Sequence, residues 1–386
     1  MMKRPITIAY ITVDDPRDRR TWSGTNHFLL RALEEQVEHV VTFGPLRPQP
    51  LLLLLRITNQ VLWRIFRRRY NYRDSVWLSK AYAKHIEPRL GKVDLIVAPA
   101  GLATTANLRS RIPIVHINDR CLAGAVGYHR ILQDLAAFSL REGLALERQG
   151  IGSAALTVYS SHWAGDAAKR AVPEAVDRIA VIPFGANLDE APPAPDRRAG
   201  PPLQVKMLLI AVNWEDKGGP IAYETLLALK RSGVSVQLVV CGCEPPSELD
   251  DTDLVREGFL NKNDPEQRAR LEAHFRTADL LILPTRFEAY GIVLCEAAAY
   301  GLPVLATRTG GIPTIVEEGS TGLLFDLDDG AEAYAARILE LLRDPERWAT
   351  MRLAARERYE SILNWQRFTQ TLLQKCEAAG LIERSR

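Results

Sequence analysis

A strand–helix alternation that runs twice, with a proline-rich break between the two runs, limits what this chain of 386 residues can fold into. The short apolar runs of the first half are ITIAYITV (6–13), VDLIVAP (93–99), IPIVHIN (112–118), ALTVYSS (155–161) and IAVIPFG (179–185). They are apolar almost throughout rather than alternating, which is the pattern of parallel strands covered on both faces, and helical patterns separate most of them. NLDEAPPAPDRRAGPP (187–202) then carries five prolines and can continue neither a helix nor an inner strand. The alternation restarts with KMLLIAV (206–212), VQLVVCG (236–242), ADLLILP (278–284), PVLAT (303–307) and GLLF (322–325). The expectation is an α/β fold of two Rossmann-like, doubly wound domains facing a central cleft. Their spans are 1–185 and 203–363, with a linker at 186–202 and a last helix in 364–386. Ligands of such sheets bind beyond the carboxyl ends of the strands.

Charge and cysteine usage narrow the class. The 49 Lys and Arg nearly cancel the 47 Asp and Glu, and a net charge of +2 carries no nucleic-acid footprint. Five cysteines occur without a C-x-x-C pair, so buried free thiols in a reducing compartment are expected. The chain enters a strand-like run within a few residues of its start, and no apolar run approaches the roughly 20 residues of a spanning helix. A cytoplasmic location is expected.

The densest chemical signal is RFEAYGIVLCEAAAYGLPVLATRTGG, residues 286–311. Pro284 ends a strand, Gly291 and the apolar run after it open a helix, and Gly301 with Pro303 closes it. Glu288 then lies in the loop ahead of the helix or at its very start, and Glu296 one to two turns inside. The neighbours of Glu296 are apolar or small, so its carboxylate is buried and needs donors, either a salt-bridge partner in the core or hydroxyls such as those of a ribose. The helix start at Gly291 offers free N–H groups and a positive dipole end to a phosphate.

Together, PTRFEAYGIVLCEAAAYGLPVLATRTGGIPTIVEEGSTGLLF with its E-x7-E pair, VHIND (115–119), VIPFGAN (181–187) and WEDKGG (214–219) closely resemble glycosyltransferase family 4. The resemblance covers most of the chain and implies the GT-B fold, with a nucleotide-sugar donor held mostly by the C-terminal domain. It implies that Glu296 binds ribose hydroxyls, that Glu288 sits beside the transferred sugar, and that backbone amides at Tyr290, Gly291, Ile292 and Val293 hold sugar hydroxyls and the distal phosphate. Lys217 would neutralise the departing diphosphate. Gly24 would bring backbone close to the donor, and His116, at a strand end, would face the sugar. An arginine that many members carry a few residues before the lysine is missing from AVNWEDKGG; Arg286 and Arg308 lie nearby in sequence.

The resemblance further implies retention of anomeric configuration and no metal or other cofactor. The D-x-D strings Asp251–Asp253 and Asp326–Asp328 read as solvated turns. The expected reaction moves a hexose, with UDP-glucose the first choice of donor, to a hydroxyl of a polysaccharide or lipid-linked glycan. The alternatives are a sugar-nucleotide epimerase on the same fold and a non-catalytic nucleotide-sugar-binding protein. One segment bears on the acceptor: LLLLLRITNQVLWRIFRRRYNYR (51–73) is either a basic amphipathic helix lying on an anionic bilayer, at the inner face of the membrane, or a core-packed helix ending in solvated arginines.

Overall fold

The computed structural model describes residues 5–128, 132–195 and 204–383. Residues 196–202 of the expected linker lie outside them. The described chain forms two compact units: residues up to Ile182 with those from Phe368 onward, and Pro183–Arg367.

Strands β1 (Thr7–Ile11), β2 (His39–Phe43), β3 (Leu95–Pro99), β4 (Ile114–Asn118), β5 (Leu156–Tyr159) and β6 (Ile179–Val181) belong to the first unit. They form a parallel sheet in the order β2-β1-β3-β4-β5-β6. The second unit holds β7 (Val205–Ile210), β8 (Val236–Cys241), β9 (Leu254–Gly258), β10 (Leu280–Leu283), β11 (Val304–Thr307) and β12 (Gly322–Phe325). Its parallel order is β12-β11-β10-β7-β8-β9, the Rossmann order with its reversal between β7 and β10. Both are doubly wound sheets with flanking helices, as the apolar runs predict.

Inner strands are buried along most of their length, and wholly so in Leu95–Pro99, Ile114–Asn118 and Leu280–Leu283. Two strands escaped the sequence reading, β2 and β9. Each sits at an edge of its sheet and mixes exposed with half-buried residues, with burial only at Phe43 in β2 and at the two ends of β9. An edge strand has a neighbour on one side only, so HVVTF and LVREG keep polar and charged side chains where an inner strand would keep valine. The five cysteines are free, and four of them are buried. Cys241 ends β8, and Cys243 lies beyond it, after the left-handed Gly242.

The last helix, Trp365–Ala378, starts in the second unit and continues in the first. Trp365 Nε1 donates to Asn187 Oδ1 at 2.8 Å. Four residues on, Thr369 is fully buried, and its hydroxyl receives Gln36 Nε2 from the first unit at 2.5 Å.

The helix Gln49–Phe66 holds the first part of the segment at 51–73. Its inward face is anchored by buried Leu55, with Leu51, Leu52 and Leu62 on the core of the first unit. Its outward face is bare: Leu54, Ile57, Val61 and Ile65, spaced three, four and four apart, are 59%, 47%, 47% and 65% exposed. The helix therefore packs on the core by one stripe, as the second of the two readings has it, and leaves another apolar stripe in solvent.

Candidate functional site

The reversal of strand order puts the loops after β7 and β10 side by side, and the second unit builds its charged groups there. In the first loop Asn213 Oδ1 accepts the Asp216 N–H at 2.7 Å, a local turn that delivers Lys217. Gly218 follows with φ 76° and caps the helix Gly219–Arg231. A Cβ at Gly218 would lie 2.0 Å from the Pro284 carbonyl, so only glycine lets the two loops meet. Thr285 Oγ1 and the Arg286 N–H both donate to the Asp216 carbonyl, at 3.1 and 3.0 Å. A third loop, after β11, closes in as well: Gly311 N–H donates to the Glu288 carbonyl at 3.2 Å, and a Cβ at Gly311 would lie 2.4 Å from the Ala289 carbonyl.

This framework brings Lys217 Nζ to 2.5 Å from Glu288 Oε2, with both side chains under one-fifth exposed. Gly291, at φ 100°, caps the helix Ile292–Ala299, whose first turn leaves N–H groups without intrahelical partners. Ile292 and Val293 open that turn. The Tyr290 side chain is turned away from it: its hydroxyl donates to the Phe184 carbonyl at 2.9 Å and its ring packs on Phe184.

Glu296 is 2% exposed, and the donor it requires is Lys262, whose Nζ lies 2.6 Å from Glu296 Oε1. Burial pushes the carboxyl of Glu296 above its usual range, and Lys262 opposes that shift. Lys262 comes from the loop after β9 and was not read from the sequence. The loop is fixed by Asp264, which caps the helix Pro265–Thr277 through the N–H groups of Glu266 and Gln267, and by the Asn261 N–H on Gln267 Oε1. A lysine in the polar turn NKND directly after a strand was the available signal, and it needed β9 to be seen first.

The two arginines considered as substitutes for the missing cation are engaged elsewhere. Arg286 donates to the Leu327 carbonyl at 2.6 Å, and Arg308 reaches Glu318 and Asp326 at 3.4 and 3.7 Å. Asp251 and Asp253 share Lys230, at 3.0 and 2.6 Å.

In the first unit, Trp22 and Ser23 adopt left-handed backbone at φ 46° and 57°, and buried Gly24, at φ 92°, caps the helix Thr25–Glu34. Three such residues in a row are costly for the two that carry side chains. Trp22 Nε1 donates to Asp119 Oδ2 at 2.8 Å, tying this loop to the end of β4. His116 is not at the strand end. It lies in the middle of β4, 1% exposed, with Nε2 2.7 Å from Thr105 Oγ1 and Gly150 packed against its ring. Burial alone drops its pKa to about 3. The residues that do reach the end of β4 are Asn118 and Asp119.

Residues 206–344 match the family model described as glycosyl transferases group 1. The D-inositol 3-phosphate glycosyltransferase of Corynebacterium glutamicum is 32% identical over 187 residues, 44% of this chain and 44% of that protein. Its counterpart from Corynebacterium aurimucosum is 29% identical over 264 residues, 63% of this chain and 61% of that protein. The chain thus spans about half the length of the curated relatives it matches. Among solved structures, sucrose-phosphate synthase from Thermosynechococcus elongatus aligns with a TM-score of 0.63 at 21% identity, over 97% of this chain and all of that one. Anabaena HepE, solved in complex with UDP, gives 0.65 at 16% identity, with the same coverage. These likenesses are of fold, and the fold is GT-B.

Proposed function

We propose that the chain is a retaining glycosyltransferase that moves a hexose from a nucleoside diphosphate sugar to a hydroxyl of a polysaccharide or lipid-linked glycan. UDP-glucose is the first donor to test. The observation that carries the reading is a pair of lysine–glutamate contacts, Lys217–Glu288 and Lys262–Glu296, beside the helix start at Gly291. A diphosphate needs cations and oriented N–H groups, and a ribose needs a buried carboxylate; these loops carry both. Lys262 takes the part of the missing arginine.

The two lysines and the helix terminus would supply the positive charge for a diphosphate leaving group without a metal. In the scheme we favour, the acceptor oxygen attacks the anomeric carbon on the face from which the phosphate departs. The bond from that carbon to the phosphate oxygen breaks, its electron pair leaves with the nucleoside diphosphate, and a phosphate oxygen takes the acceptor's proton. Lys217 stabilises the charge that develops, and Glu288 orients the sugar hydroxyls. Glu288 as a covalent nucleophile is the competing scheme, and a trapped glycosyl–Glu288 adduct would establish it.

The experiment is donor turnover in EDTA without acceptor, using UDP-, GDP- and ADP-sugars and following both nucleotide release and the identity of the sugar. Slow release from one donor, lost on changing Glu288 or Lys217 to alanine, names the donor. A changed sugar still attached to its nucleotide means an epimerase, and binding of a donor without any turnover, with or without added glycans, means a sensor.

The bare stripe of the helix Gln49–Phe66 favours a peripheral contact with an anionic bilayer, on the cytoplasmic face. Residues 49–73 hold six arginines and no acid, in a chain whose net charge is only +2. Arg67 and Arg69 lie over the Trp63 ring at 5.9 and 4.9 Å, an arrangement suited to the interface between lipid and water. No helix among the described residues is long and apolar enough to cross a membrane.

A further inference from the structure

Among the described residues, the carboxylate of Glu296 has one partner, the Lys262 ammonium at 2.6 Å from its Oε1. The glutamate side chain is 2% exposed and the lysine side chain 25%, so the acid end of the pair is sealed while the cation end reaches solvent. A buried carboxylate with a single donor is poorly served, since an ionised one takes about four hydrogen bonds. A ribose would change that balance. Its vicinal diol carries two O–H donors, and receiving both takes both oxygens of one carboxylate. Lys262 holds one of them. Diol and ammonium therefore compete for Glu296, and the ammonium, on its flexible four-carbon stem, is the group able to leave.

A displaced ammonium needs another acceptor, and the acids around its loop are engaged. Asp264 accepts the Glu266 and Gln267 N–H groups at 2.9 and 3.1 Å, and Gln267 Nε2 at 3.1 Å. Asp189 faces Arg268 at 3.3 Å, and Glu257 faces Arg270 at 2.5 Å and His274 at 3.3 Å. The acceptors that arrive with the ribose are phosphate oxygens. Until they arrive, Lys217 and Lys262 both face glutamates, so these two pairs offer a diphosphate no uncompensated positive charge.

We propose that Lys262 exchanges partners when a ribonucleoside diphosphate binds: it holds Glu296 in the empty site, yields the carboxylate to the ribose diol, and moves to the diphosphate. Recognition of the two halves of the ligand is thereby linked. A diphosphate without a ribose meets a lysine that is already occupied, and a ribose without phosphates leaves the displaced ammonium unmatched. The exchange rests on the nucleotide-sugar reading of the site and adds to it a residue that changes its role between the empty and the filled state.

The test measures binding to the full chain by ligand-observed NMR, for wild type, Lys262→Met and Glu296→Gln. The probes are uridine, guanosine and adenosine, their diphosphates, and inorganic pyrophosphate. For the base that binds, Lys262→Met is expected to tighten the nucleoside by about threefold or more and to weaken the diphosphate by about tenfold or more. Glu296→Gln, which releases Lys262, is expected to tighten pyrophosphate by about threefold or more. Either variant decides the matter should the other not fold. In Lys262→Met, a nucleoside that is not bound more tightly or a diphosphate that is not weakened makes the lysine a fixed partner of Glu296 and overturns the exchange. Pyrophosphate that binds no better to Glu296→Gln overturns it too. Wild-type protein that binds none of the diphosphates sinks the nucleotide-sugar reading and the exchange together, whereas diphosphate binding without these opposed effects sinks the exchange alone.

Discussion

Lys262 Nζ stands 2.6 Å from Glu296 Oε1, joining the loop after an edge strand to a carboxylate that is 2% exposed. The pair holds an otherwise costly charge inside the second unit until a ligand offers other donors. Replacing the lysine isolates the acid.

Lys262→Met is expected to cost about 1–3 kcal/mol at pH 8, the penalty of a buried acceptor left unmatched, discounted because the lysine head is partly exposed. Glu296 already has its pKa raised in the folded state, so its favourable contribution is complete below the unfolded carboxyl value and fades as pH rises through the folded one. The variant raises that value further. Its deficit in urea midpoint should therefore shrink between pH 8 and pH 5; a deficit independent of pH would speak against an isolated charge.

Lys217→Ala and Glu288→Ala are each expected to lower kcat by about 10²-fold or more, with smaller changes in KM, if the pair serves the transition state. The two contact each other, so the double variant should lose clearly less than the product of the single effects. Multiplicative losses would mean that the residues act apart.

Gly218→Ala should destabilise by roughly 2–4 kcal/mol, from left-handed backbone strain plus overpacking against the Pro284 carbonyl. Gly233, also left-handed but with open space around its missing Cβ, serves as the control at about 1 kcal/mol. Equal losses in thermal melts would show that strain alone, and not the meeting of the loops, explains the effect.

His116 is held neutral, with its pKa near 3 against about 6.5 in an unfolded chain. Its depressed value means that the unfolded state binds the extra proton, so stability falls as pH drops from about 6.5 toward 3, by up to about 1.4 kcal/mol per unit. His116→Gln should lose part of that slope in denaturant titrations between pH 6.5 and pH 4. An unchanged slope would place the acid sensitivity in other groups.

Sedimentation with anionic liposomes checks the helix Gln49–Phe66. Changing Arg67, Arg68 and Arg69 to serine should weaken binding by about 1 kcal/mol per residue at low salt. Changing Leu54, Val61 and Ile65 to serine should weaken it at all salt concentrations. Wild-type protein that stays in the supernatant would remove the bilayer from the picture.

The sequence showed the inner strands plainly, because a strand buried on both faces has no room for polar residues. It also showed the E-x7-E spacing, the Gly291 helix start and Lys217. It hid β2 and β9, whose exposed positions break the apolar run, and with β9 it hid Lys262. His116 was misjudged for a related reason: a histidine inside a buried run looks like a group pointing out of the sheet end, whereas Thr105 satisfies one ring nitrogen within the core. A linear pattern reveals which residues are buried, and much less which buried groups find one another.

The course of the last helix has a consequence for synthesis on the ribosome. The second unit is one unbroken stretch, Pro183–Arg367, and can close its core as soon as that stretch has emerged. The first unit, although most of it is made first, lacks Phe368, Thr369, Leu372 and Leu373 until the whole second unit has been added, and all four are buried. The half of the chain that is translated second is thus the half able to finish folding first. Chains truncated after Arg367 and released would carry a complete second unit and an unfinished first one, the reverse of the usual vectorial order.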